Sequence, residues 1–255
     1  MAHRRQLLGA SADLVEELRR LAADGEPRPP AERLAPGEKA FGLRMGDLFT
    51  VAKAYRGVTL DEVDALLDHP AYEARLAAFC ILDFKARTRL SDEERRALYE
   101  LYLRRHDRIT TWGMVDRAAP RVVGGYLAGR DLTPLYELAA APTPLRRRSA
   151  ITAPLYFVKS GGSADLAGGF DLAGRLATDP EPVVYNAVGI FLKHAGGRDV
   201  DSLRRFLDTH AATMPRAAVR LAIEKLDPDD RNRCLRTQSH RLAEPLGTKH
   251  EASEP

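Results

Sequence analysis

The sequence predicts an all-α fold, a solenoid of stacked helix pairs. Three observations carry that prediction: helical periodicity nearly throughout, no convincing alternating strand pattern, and a segment that recurs about every 37 residues. The first helix is expected in DLVEELRRLAADG (13–25), with apolar residues at i, i+3, i+4 and i+7. The Pro-rich GEPRPPAERLAPGE (25–38) then reads as a loop. In TLDEVDALLDH (59–69), Thr59 followed by Asp61 and Glu62 marks a helix start, as does Ser91 before Glu93 and Glu94 in SDEERRALYELYLRRH (91–106). DSLRRFLDTHAATM (201–214) and RAAVRLAIEKL (216–226) continue the pattern. HRLAEPLGTKHEASEP (240–255) is polar and aperiodic, and is expected to be a disordered tail. The plan is thus an N-terminal helix and loop (1–35), a repeat domain (36–239) and a tail (240–255).

The recurrence has a register. LLDHPAYEARLAAFCILDF, LATDPEPVVYNAVGIFLKHAG and THAATMPRAAVRLAIEKL each place proline seven residues before an alanine: Pro70 with Ala77, Pro180 with Ala187, Pro215 with Ala222. Ala77, Gly113, Ala150, Ala187 and Ala222 are separated by 36, 37, 37 and 35 residues. Paired helices at this period are the signature of a HEAT-like solenoid; proline suits a first helical turn, and small residues let helices approach. Equivalent positions line up along one wall, so Trp112, Asp116, Arg148, Tyr185 and Asn186 are expected to face one side. That row is polar, aromatic and cationic where a purely structural wall would be apolar.

Composition bounds the function. Hydrophobic residues make up 44% and charged residues 29% of the 255, as in ordinary globular proteins. No run of about 18 apolar residues occurs and the N-terminal apolar run is too short for a secretory signal, so no membrane association and a cytoplasmic location are expected. Cys80 and Cys234 form neither a CxxC pair nor part of a cluster with the scattered histidines, which argues against a zinc enzyme. Net charge is only +3, but 32 of the 39 basic residues are arginine. A GC-rich coding sequence explains that bias; planar, bidentate phosphate contacts are the alternative.

Three blocks carry a resemblance. FGLRMGDLFTVAKAY (41–55), HDRITTWGMVDRAAPRVVGGYL (106–127) and LRRRSAITAPLYFVKSG (145–161), in that order and spacing, resemble the bacterial DNA alkylation repair proteins of the AlkD type, HEAT-like DNA glycosylases. The likeness spans roughly residues 40–200. It implies a curved helical protein holding duplex DNA in a basic concave cleft, acting as a monomer, and excising cationic alkylated purines such as 3-methyladenine and 7-methylguanine without metal or organic cofactor. By motif, Trp112 would contact the lesion-bearing deoxyribose, Asp116 would be the catalytic carboxylate and Arg148 would meet the DNA backbone, with Arg147 able to exchange roles with it. Arg44, Lys53, Arg117, Arg121, Arg146, Arg147, Lys159, Tyr185, Asn186 and Lys193 are the expected DNA contacts. DFKAR (83–87) and RRH (104–106) read as ordinary helix surface. The chain departs from the family pattern at Leu145 and Ile190, where tryptophans are usual, and at Thr111, where asparagine is.

The implied chemistry is self-consistent. A cationic purine is already a good leaving group, so what remains is to stabilise developing positive charge on the sugar and orient a water. One carboxylate at about 4 Å and an effective dielectric of about 20 contributes roughly 4 kcal/mol, about three decades of rate. Two other readings are compatible with the sequence: a DNA-binding repeat protein without base excision, and a HEAT-type scaffold for another protein.

Overall fold

The computed structural model describes residues 9–24, 34 and 36–243, with side chains to 236. Most of the Pro-rich stretch, and the tail from 244, lie outside the described residues. Within them the chain is the expected helical-repeat solenoid, with no strand; one parallel bridge joins Lys39 to Ala71.

Two layers of helices run the length of the molecule. The front layer consists of α2 (Met45–Ala54), α4 (Tyr72–Ala86), α6 (Trp112–Ala118), α9 (Pro144–Thr152), α12 (Pro182–Gly196) and α14 (Arg216–Ala222), each packed on the next. Behind them stand α1 (Ala10–Ala23), α3 (Leu60–Leu66), α5 (Asp92–Arg104), α8 (Thr133–Ala139), α11 (Ser163–Arg175) and α13 (Val200–His210). Helix α1 packs on α2, α3 and α4, so it extends the stack. The last helix, α15 (Pro228–Ala243), packs on α14 and runs through the boundary drawn at 239/240.

Local chemistry explains the starts and breaks. Thr59 and Ser91 make full capping boxes with Glu62 and Glu94, as their spacing predicts. Proline opens α9 and α12 in the first turn, where its missing N–H is no loss. Glu73 receives the backbone N–H groups of Phe41 and Gly42, each at 2.8 Å, and so pins the segment that leads into α2.

Two interior prolines bend the front layer. Pro120 follows α6, and residues Ala119–Gly124 form a π-turn in which Gly125 N–H donates five residues back, to the Pro120 carbonyl. The final turn, α7 (Gly125–Leu127), then completes this helix. Pro154 separates α9 from α10 (Leu155–Ser160) through tighter turns, with Tyr156 N–H donating to the Ala153 carbonyl and Phe157 N–H to that of Pro154. The two bends meet: a Cβ on Gly124 would lie 2.1 Å from the Ala153 carbonyl oxygen, so only glycine allows this approach.

The register of small residues largely marks packed positions. Ala77, Ala150, Ala187 and Ala222 are all buried, whereas Gly113 is half-buried and borders an open hollow. Along the wall the spacing slips by one at α9. Arg148 lies where Trp112 and Asn186 lie on neighbouring helices, and Ser149, one residue on, is fully buried. Among the described residues no helix is long and apolar enough to cross a membrane.

Candidate active site

Trp112 is the first residue of α6, and the residue is 47% exposed. An indole at the start of a helix that faces other helices is normally covered; this one stands clear of the wall. Asp116 lies one turn on, on the same face, with about a third of its side chain open to solvent.

Beneath the indole lies Arg148 of α9, only 4% exposed. Its guanidinium donates from Nε to Asp116 Oδ1 (2.9 Å) and from Nη2 to Asp116 Oδ2 (2.7 Å), and Nη1 donates to the Val183 carbonyl. The same group sits 5.4 Å from the Trp112 ring centroid. Three elements of successive repeats are thereby joined at one arginine: α6 through Asp116, α9 through Arg148 and α12 through Val183. The bidentate fork fixes the carboxylate plane in a way a lysine would not. The resemblance implies that Arg148 meets a DNA backbone; here both edges of its fork are occupied and the side chain is covered, Asp116 accepting from Nε and Nη2 and the Val183 carbonyl from Nη1.

A buried polar plug supports α9 from behind. Ser149 Oγ lies 2.8 Å from the Tyr102 hydroxyl and 2.9 Å from His106 Nε2, and donates to the Leu145 carbonyl. Burial, helped by the nearby Arg146 charge, pushes the His106 pKa down to about 4, so the ring is neutral there. RRH (104–106) is therefore not plain surface: His106 is 4% exposed and Arg105 is tied to Asp64 and Asp68.

Trp112 and Asp116 stand between two hollows. One, of about 470 Å³, is lined by Trp112, Asp116, Arg148, Pro182, Val183, Asn186 and Ile190. The other, of about 290 Å³, lies over α4 between α2 and α6, with Met45, Phe49, Tyr72 and Leu76 opposite Trp112, Gly113, Asp116 and Arg117. The expected row is thus assembled from Trp112, Asp116, Arg148 and Asn186. Tyr185 is not in it: it borders neither hollow and packs, half-buried, against the core. Leu145 likewise packs on the core and Thr111 is buried, so of the three departures from the family pattern only Ile190 lines the site.

The cations expected at a DNA surface divide into two groups. Arg44, Lys53 and Lys159 are exposed, and Arg146 is half-buried with no carboxylate at ion-pair distance among the described residues. Others are committed within the protein. Arg147 reaches Asp179 at 2.6 Å and the carbonyls of Ala141 and Pro142, and Lys193 reaches Glu224 at 3.0 Å. Arg121 and Arg117 gather at Asp83, at 3.1 and 3.6 Å, together with Arg87 at 2.6 Å. DFKAR (83–87) is thus not ordinary helix surface. Asp83 is fully buried and organises the arginines beside the site; the overlooked signal was a carboxylate set between apolar neighbours, Leu82 and Phe84. Cys80 lies against the same cluster, and burial pushes its thiol up to about 12, which keeps it protonated.

The family described as DNA alkylation repair enzyme matches residues 14–226 of the chain. No curated protein matches it.

Proposed function

The chain therefore belongs to the family of DNA alkylation repair enzymes, and we propose that it is a glycosylase that hydrolyses the N-glycosidic bond of cationic alkylated purines, such as 3-methyladenine and 7-methylguanine, in duplex DNA. The observation that carries this reading is the half-exposed Trp112 above a partly open Asp116 carboxylate whose plane is held by a buried arginine. Asp116 faces the deoxyribose of the damaged nucleotide and stabilises the positive charge that develops there. The bond from C1′ to the purine nitrogen breaks with its electron pair leaving on the base, which neutralises the base. Water supplies the hydroxyl at C1′, and its proton passes to the carboxylate or to solvent. The indole contacts the same sugar and adds about 0.5–2 kcal/mol of cation–π attraction. Arg148 acts as a positioning residue for Asp116.

The Asp116–Arg148 pair lowers the expected contribution. A carboxylate about 4 Å from the sugar gives roughly 4 kcal/mol at an effective dielectric of about 20, and a guanidinium about twice as far away cancels roughly half of it. One to two decades of rate then rest on Asp116, rather than three. Arg44, Lys53, Arg146 and Lys159 contact phosphates, which makes binding sensitive to salt and indifferent to sequence.

Ile190 in the larger hollow, where the family pattern has an aromatic, favours a second reading: DNA binding without base release. Release of 7-methylguanine from methylated duplex DNA, wild type beside Asp116→Asn, tests both. Release above the spontaneous rate that falls roughly 10- to 100-fold in Asp116→Asn supports the glycosylase; no release, with salt-dependent duplex binding intact in both proteins, supports the second reading.

A further inference from the structure

The larger hollow contains a polar group that the chemistry above does not use. Its α6 side carries the Asp116 carboxylate, and its α12 side carries Val183, Asn186 and Ile190, spaced three and four residues apart along one helix face. Arg148 ties the two sides together: two of its nitrogens reach Asp116 and the third reaches the Val183 carbonyl. One planar group therefore sets how far Asp116 stands from the first turns of α12. Among the residues that line the hollow, only Asp116 and Asn186 carry a side-chain oxygen. Trp112 and Arg148 have donors alone. The Val183 carbonyl already accepts from Arg148 and belongs to the hydrogen-bond ladder of α12. Each Asp116 oxygen takes one bond from Arg148 and keeps a further lone pair, with about a third of the side chain open. The half-buried Asn186 amide makes no hydrogen bond among the described residues.

We propose that Asn186 is the residue that orients the attacking water, an inference that rests on the glycosylase reading. The water donates one hydrogen to Asp116 and the other to the Asn186 amide oxygen. Both hydrogens then point at the protein, and a lone pair of the water oxygen points at the sugar. One carboxylate alone would leave the second hydrogen free to swing across the line of attack; the second acceptor removes that freedom. As the bond from C1′ to the purine nitrogen breaks with its pair leaving on the base, the water oxygen bonds to C1′ and its proton passes to Asp116. Asn186 exchanges no proton, so its contribution is orientation alone. The volume, about 470 Å³, has room for the edge of a deoxyribose together with a water, whose share of liquid volume is about 30 Å³. Pro182 and Ile190 complete the α12 side without a polar side-chain atom, so nothing there draws the water away from the amide.

Competition between two nucleophiles tests this. The full-length protein acts on duplex DNA containing 7-methylguanine in a methanol–water buffer. Attack by water leaves an abasic site, which alkali cleaves; attack by methanol leaves a methyl glycoside, which cannot open its ring and resists alkali. The alkali-resistant share of the released sites thus reports how firmly water is held against methanol. Spontaneous base loss in the same buffer gives the share for a nucleophile that nothing holds. The expected wild-type share lies well below that value. Asn186→Ala should raise it towards the spontaneous one and slow single-turnover release about 3- to 10-fold, the worth of one hydrogen bond, with duplex affinity unchanged. Alanine is the best helix former, so the variant folds. A share that stays at the wild-type level in Asn186→Ala, or a wild-type share equal to the spontaneous one, overturns the role. Weaker duplex binding with an unmoved share gives the amide to the DNA backbone instead. Release with an unmoved share removes the water role and leaves the glycosylase; no release by wild type sinks the glycosylase reading and the water role with it.

Discussion

The Asp116–Arg148 pair is asymmetric, and the asymmetry is measurable. Arg148 is 5% exposed at its side chain and Asp116 is 34% exposed. Removing the carboxylate strands a buried guanidinium; removing the arginine leaves a carboxylate that water can reach. Asp116→Ala should therefore cost about 3–5 kcal/mol in urea unfolding. Asp116→Asn should cost less, because its amide oxygen still accepts from the fork, which makes it the better variant for the activity assay. Arg148→Lys keeps the charge but loses the bidentate contact, and base release should fall about tenfold, one pair's worth of orientation. His106 gives a pH signature. Its folded pKa of about 4 lies below the ordinary 6.5, so the unfolded chain binds a proton that the folded one excludes. Stability is full above pH about 6.5 and falls as the pH drops towards 4, by roughly 2–3 kcal/mol. His106→Gln should flatten that fall in urea midpoints measured across the window.

At the scale of elements, the front layer depends on close approaches that sequence spacing only hints at. A Cβ on Gly124 meets backbone of the α9–α10 bend at 2.1 Å, and one on Gly189 meets the Ala218 carbonyl at 2.6 Å. Neither neighbour is a flexible side-chain tip, so Gly124→Ala and Gly189→Ala should each destabilise by about 1–3 kcal/mol. Gly46, inside α2 with nothing within 4 Å of a new Cβ, is the control. Gly46→Ala should stabilise by about 0.5–1 kcal/mol through helix propensity alone. Thermal melts of the three variants suffice. Nearly unchanged melts for the first two would mean that the bends at Pro120 and Pro154 are not locked together by this contact.

At the scale of the molecule, the arginine-rich composition resolves into two populations. Arg147, Arg148 and Arg105 stitch repeats together through Asp179, Asp116 and Asp64, while Arg44, Lys53 and Lys159 remain exposed. If the exposed set holds phosphates, Lys159→Ala should weaken duplex binding and reduce the slope of log affinity against log salt by about 0.9. Arg147→Ala should leave that slope unchanged and lower the melting temperature instead. Equal slope changes in the two variants would sink this division.

The helical class, the repeat and the pairing of Trp112 with Asp116 were legible in the sequence by itself. They rest on local rules: the 3.6-residue period, capping boxes at Thr59 and Ser91, proline in first turns, and residues four apart sharing a face. The family likeness pointed to Arg148 as well, whereas its fork onto the Asp116 carboxylate is visible only in the tertiary structure. What tertiary structure decided is which charges meet. Asp83 and Arg121 are 38 residues apart, Arg147 and Asp179 are 32 apart, and no local rule couples positions that far apart in the chain. The same holds for the one-residue slip at α9, which buries Ser149 and puts Arg148 in the wall, and for α12, where Tyr185 packs on the core while Asn186 lines the wall. A repeat period predicts which helices stack; the rotation of each helix about its axis is set by how the side chains of three neighbours pack, and that packing alone separates an arginine in the wall from one facing solvent.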